Sequence, residues 1–68
     1  MNDGIHMHVT ARFIGHDGSC GLKHMQSYRI EIIETPKARY RFRLYVNNLG
    51  IPYDSMEAIK ANWKWHED

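Results

Sequence analysis

From Met7 to Ile14 apolar and polar side chains alternate, with Met7, Val9, Ala11 and Phe13 on one side and His8, Thr10, Arg12 and Ile14 on the other. A period of two is that of a half-buried strand, so this segment predicts the first strand. Tyr28, Ile30 and Ile32 alternate in the same way with Arg29, Glu31 and Ile33. That second strand stops near Thr35-Pro36-Lys37-Ala38, where proline has no amide proton to give a central ladder, and a hairpin turn is expected there. The return run from Arg39 to Val46 alternates most cleanly: Tyr40, Phe42, Leu44 and Val46 can face a core while Arg39, Arg41, Arg43 and Tyr45 face outward. Asn47-Asn48-Leu49-Gly50 tolerates positive φ and predicts a second turn, followed by a short edge strand at Ile51-Pro52-Tyr53.

The period then changes. Asp54 followed three positions later by Glu57 has the form of a capping box and predicts a helix starting at Ser55. Met56, Ile59 and Trp63 recur at helical spacing and would lay one apolar stripe on the sheet, leaving Glu57, Lys60 and Asn62 in water. Trp65 suits either a frayed helix end or a last strand residue. Between the first two strands, residues 15–27 carry three of the five glycines and no sustained period, which describes a long shaped loop. These elements predict a mainly β (α+β) fold: a small bent antiparallel sheet or an SH3-like barrel of four or five strands with one short C-terminal helix. Residues 1–68 form one small domain, with 1–6 expected as an N-terminal extension.

Composition narrows the class. At 68 residues and 43% hydrophobic, the chain is too short for two cores and too apolar for a disordered segment. A chain of this size hides only about 60% of the surface it exposes when unfolded, so a metal, a partner or self-association into a homo-oligomer would add useful stability. One cysteine cannot form an internal disulfide and fits a reducing cytoplasm, and residues 1 to 20 contain no signal-like apolar stretch. A soluble cytoplasmic protein, without a membrane partner, is expected. Nine Lys and Arg against eight Asp and Glu leave a net charge of +1, so any attraction for polyanions must be local.

The run Phe13-Ile14-Gly15-His16-Asp17-Gly18-Ser19-Cys20-Gly21, with Tyr28 after a further loop, together with Pro52-Tyr53-Asp54-Ser55-Met56-Glu57-Ala58-Ile59 and Asn62-Trp63, resembles small bacteriophage and prophage proteins. In those, a phrase like FIG-DGS-G opens the chain and one like PY-S-EA---NW closes it. The resemblance covers most of residues 9–65. His24-Met25 departs from it, standing where such proteins usually carry a Gly-Lys turn before the tyrosine. It implies a phage-type inhibitor that binds a host defence protein, with anti-CRISPR inhibitors of Cas nucleases, some of which carry zinc, as one such class.

Three constellations could carry chemistry. His16, Cys20 and His24 cluster in the glycine-rich loop, and His6-x-His8 projects to one side of the first strand. Thiolate and imidazole suit Zn²⁺, so zinc is the cofactor this set would hold, although neither a C-x₂-C nor an H-x₃-H pair is present. The plainer alternative leaves the loop histidines in solvent, His6 and His8 as surface groups and Cys20 as a small buried hydrophobe. The second constellation is the row Arg39, Arg41 and Arg43, about 7 Å apart on one strand face and followed by Tyr45. It could bind an acidic protein surface or phosphates, or it could pair with Glu31 and Glu34 on the neighbouring strand.

The aromatics are the third. Trp63 is expected in the core and Tyr28 and Tyr40 mostly buried, whereas Trp65, if exposed beside Tyr53 and Tyr45, would add an interface anchor. Catalysis has little support: Cys20 with His24 or His16 offers a nucleophile and base but no oxyanion hole, and no P-loop or GxGxxG sequence is present. The expectation is a non-enzymatic inhibitor using Arg39, Arg41, Arg43, Tyr45 and Trp65 on a host protein, with a CRISPR effector nuclease as the named candidate. The alternatives are an SH3-like nucleic-acid-binding module using the same arginines and a zinc-stabilised homodimer.

Overall fold

The computed structural model describes residues 4–66. They form β1 (His6–Phe13), β2 (Ser27–Glu34), β3 (Phe42–Val46), β4 (Leu49–Tyr53), α1 (Met56–Asn62) and β5 (Trp63–Lys64), with one 3₁₀ turn at Ser19–Gly21. The strands make a single antiparallel sheet in the order β4-β3-β2-β1-β5, so β1 to β4 run as a meander and α1 carries the chain across to the free side of β1. The sheet curls into a half-barrel, the small bent sheet with a C-terminal helix that the pattern predicts. No helix among the described residues is long and apolar enough to cross a membrane.

Alternation determines which face is inside. Met7 lies opposite Ile32, Val9 opposite Ile30 and Ala11 opposite Tyr28, and on the next pair Ile32 lies opposite Leu44. Directly opposed residues share a face, so these positions build one apolar layer. Ala11, Phe13, Leu22, Ile30, Ile32, Phe42, Leu44, Val46, Ile59 and Trp63 are buried there. Slipping β1 by one residue would turn its whole apolar set to water, which is why the register is well determined.

Trp63 fastens the far edge. It pairs with Phe13 in the β1–β5 ladder, its ring lies 5.0 Å from the Phe13 ring and 6.1 Å from that of Tyr28, and its indole N–H donates to the Tyr53 hydroxyl at 3.1 Å. The helical period expected of Trp63 thus ends one residue early: α1 stops at Asn62 and Trp63 is the first residue of a two-residue strand. Trp65 follows β5, half-buried against the core, and belongs to neither the helix nor the strand, so neither expected ending describes it.

The segment between β1 and β2 is tied down from several sides. Phe13 and Met25 bond each other's neighbourhood through Phe13 N–H to the Gln26 carbonyl (2.9 Å) and Met25 N–H to the Phe13 carbonyl (2.6 Å). Ile14 N–H donates to the Asn62 carbonyl at 2.8 Å, and Leu22 drops into the core. Gly15 is required by close approach, because a Cβ there would stand 2.7 Å from the Phe13 ring and 2.8 Å from the Asn62 side chain. At the other hairpin, Asn47 and Asn48 take φ of 49° and 67°, the left-handed pair of a two-residue turn whose twist matches the strands.

Three local expectations change. The alternation from Arg39 does not make strand: β3 begins at Phe42, and Thr35 N–H donates to the Arg41 carbonyl (2.7 Å) and Ala38 N–H to that of Thr35 (3.0 Å), closing a wider turn over 35–41. Tyr40 lies in that turn and is exposed rather than buried. Ile5 and His6, assigned to the N-terminal extension, meet the end of β2, where Glu34 N–H donates to the Ile5 carbonyl at 2.7 Å; residues 1–3 lie outside the described residues.

The helix cap moves by one position as well. Ser55, not Asp54, is the N-cap: it has extended backbone (φ −155°, ψ 164°) and its hydroxyl accepts from Ala58 N–H at 3.1 Å. Replacing Ser55 by Ala should therefore cost about 1 kcal/mol in urea unfolding, while Asp54→Ala should stay within about 0.5 kcal/mol. The reverse ranking would restore the Asp54 capping box.

Candidate functional site

The register that buries the apolar set collects the polar chemistry on the outer face. One cross-sheet row is His6, Ile33, Arg43 and Pro52, and the next is His8, Glu31, Tyr45 and Gly50. Further along β1, Thr10 faces Arg29, and Arg12 faces Ser27 on one side and Lys64 on the other. Arg12 and Lys64 are thus like charges directly opposed, an arrangement that costs stability in a sheet. Among the described residues no carboxylate lies within ion-pair distance of Arg12, Arg29, Arg43 or Lys64. The Tyr45 ring lies over the β4 backbone at Gly50, where a Cβ would come within 3.0 Å of it, and remains 39% exposed, enough for an aromatic contact.

Glu31, the acid at the centre of this face, is occupied by histidine. His6 Nε2 stands 2.5 Å and His8 Nε2 3.5 Å from the same oxygen, Glu31 Oε2, and the two imidazole centroids are 5.2 Å apart. Among the described residues this is the group of three ligand-bearing side chains whose donor atoms all lie within 4.8 Å of one another.

The three arginines of the sequence row separate. Arg43 alone lies in β3 and faces outward; Arg41 lies in the 35–41 turn with Nε 2.5 Å from Glu34 Oε2; Arg39 lies in the same turn with its guanidinium 5.8 Å from the centre of the Tyr40 ring. Glu34 also accepts from Ile5 N–H at 3.2 Å. The hydrogen bond from Arg41, helped by that from Ile5, holds the Glu34 carboxyl below the usual carboxylate range against the opposing effect of its burial. Arg41 is thereby committed within the chain.

His16, Cys20 and His24 do not come together as a ligand set. The loop spends its polar groups on itself: His24 Nδ1–H donates to the Gly15 carbonyl at 2.9 Å, His24 N–H to Asp17 Oδ1 at 2.8 Å, and Lys23 N–H to the Tyr28 hydroxyl at 2.9 Å. Cys20 is exposed at positive φ, not buried as a small hydrophobe. Trp65 stands at the β5 edge, three strands away from Tyr45, and Tyr53 faces inward to bond Trp63. The Lys60 ammonium lies 6.0 Å from the centre of the Trp65 ring.

Comparison with known proteins gives no match to a protein-family model, a curated protein or a solved structure. The chemistry of the outer face therefore carries the functional argument.

Because the folded-state Glu34 carboxyl is held low, its ion pair stabilises the protein fully above the ordinary carboxylate value, and that contribution disappears as pH falls from there through the lowered value. Arg41→Gln should raise the Glu34 titration midpoint in a carboxyl ¹³C NMR titration and flatten the acid side of the stability profile. An unmoved Glu34 midpoint would show that Arg41 does not hold it.

Proposed function

We propose that this protein is a non-enzymatic binding protein of the phage-inhibitor type, docking on a host protein through the outer face of its sheet. The observation that carries the reading is the surplus of Arg12, Arg29, Arg43 and Lys64 on a face whose one central acid is already taken by His6 and His8. Opposing Arg12 and Lys64 costs stability where, among the described residues, no carboxylate pairs with either, and a partner bringing acidic groups would offset that cost. Tyr45 beside Arg43 adds a rigid aromatic of the kind that anchors protein interfaces. The partner expected from the resemblance to phage proteins is a defence nuclease of the CRISPR type, acting in the host cytoplasm; the residues argue only for an acidic docking surface.

Relative to the row expected from sequence, the proposed contact residues shift. Arg43 and Tyr45 remain, Arg12, Arg29 and Lys64 join them, Trp65 lines a groove with Arg12 and Lys64 at the β5 edge, and Arg41 is held by Glu34. A nucleic acid is the competing occupant of a cationic sheet face, and salt and nuclease separate the two.

Affinity capture from bacterial lysate, with and without nuclease, should retain one stoichiometric protein, and the double variant Arg29→Glu/Arg43→Glu should weaken its binding by at least about tenfold. Loss of the bound material on nuclease treatment, with affinity falling steeply between low and physiological salt, would replace this proposal with the nucleic-acid module. Unchanged capture by the charge-reversed variant would remove the outer face as the interface.

A further inference from the structure

We propose that His6, His8 and Glu31 form a binding site for a divalent first-row transition-metal ion, with Zn²⁺ as its natural probe. The site is independent of the docking reading, since it rests on ligand geometry rather than on surface charge.

The argument starts from the strand period. Residues two apart on a strand share a face, so His6 and His8 project together from β1, and the β1–β2 register sets Glu31 opposite His8 and diagonal to His6. That register is determined by Met7–Ile32 and Val9–Ile30 packing on the inner face, so the core itself holds the three ligands in place. Both Nε2 atoms aim at one oxygen, Glu31 Oε2, rather than at the two oxygens separately. A metal ion uses the same convergence with both imidazoles neutral.

The two distances to Glu31 are close to what an ion needs, and all three donor atoms lie within 4.8 Å of one another. Ligands about 2.0–2.1 Å from a tetrahedral Zn²⁺ stand about 3.3 Å from one another. His8 Nε2 is already 3.5 Å from Glu31 Oε2, and His6 Nε2, at 2.5 Å, must open by less than one ångström. His6 and His8 are more than half exposed, so their rings can make that adjustment without disturbing the core. A proton lies between His6 Nε2 and the carboxylate when no ion is bound; the ion replaces it, and the proton leaves to solvent or is carried on Nδ1. Two imidazoles and one carboxylate suit zinc, copper or nickel rather than the hard oxygen-seeking ions. His8 and Glu31 also line a surface groove with Arg29, Tyr45, Asn47 and Asn48.

Because the ligands come from two strands, an ion here would cross-link β1 to β2 and stabilise the folded chain. The test uses the full chain with any affinity tag removed, titrated with ZnCl₂ by calorimetry and followed by thermal unfolding. One ion per chain is expected, with a rise in Tm. His8→Ala and Glu31→Gln should each weaken binding by at least about tenfold, as loss of a direct ligand should cost no less than loss of a group that only orients one, and each should remove the Tm rise. Cys20→Ser and His24→Ala should leave both unchanged. The two substituted positions lie on the outer face, and far-UV circular dichroism of each variant checks that it folds. The proposal is overturned if zinc does not bind at millimolar concentration, if His8→Ala and Glu31→Gln bind as the parent does, or if binding disappears with Cys20→Ser or His24→Ala.

Discussion

The half-barrel depends on Trp63. α1 has seven residues and β5 only two, and neither length is stable alone in water. What holds both is one side chain, buried to 1% exposure, whose ring packs on Phe13 from β1 and Tyr28 from β2 while its N–H reaches the hydroxyl of Tyr53 at the end of β4. A buried tryptophan withdraws about 150–250 Å² from water, a large share of what a core this small can gather. Through it the last strand is pulled onto β1 and the opposite edge of the sheet is brought toward the same point, which is the curl. Leu22 and Ile59, from the long loop and the helix, fill the space this curl encloses.

The outer face is the other side of the same arrangement. Every inward apolar residue of β1 and β2 commits its neighbours outward, so the packing that selects the register also selects which charges meet. It brings two histidines over Glu31, leaves Arg43 beside Tyr45, and opposes Arg12 to Lys64. A fold that needed only stability could have placed an acid across from Arg12. Among the described residues this face instead gathers cations without an ion-pair partner at one end and a converged ligand set at the other.

Much of this was legible in the chain. The period of two over Met7–Phe13 and Tyr28–Ile32 identifies both the strands and their buried sides, and Asn47-Asn48 marks its turn. The same rule misleads at Arg39–Arg41, because alternation records only what a segment could do as strand. There the backbone bonds of Thr35 to Arg41 and Ala38 to Thr35 close a turn instead, and Tyr40 goes to solvent. Leu22 carries no period that would reveal it as core, since it enters from a loop whose course depends on bonds to Phe13 and Asn62. His6-x-His8 was visible as a pair, but its third member was not: nothing in a thirteen-residue irregular connection tells which β2 residue will stand opposite His8.

An open sheet has two edges where another chain's backbone could add itself, and here they differ. On β4, Pro52 removes an amide donor from the strand. On the other side, β5 covers only Arg12 and Phe13 of β1, so among the described residues the β1 backbone from His6 to Ala11 has no strand beside it on that edge. Edge-to-edge aggregation, the usual hazard of a small unclosed sheet, is thus discouraged by backbone chemistry along β4, whereas along β1 the outward side chains decide what this protein meets.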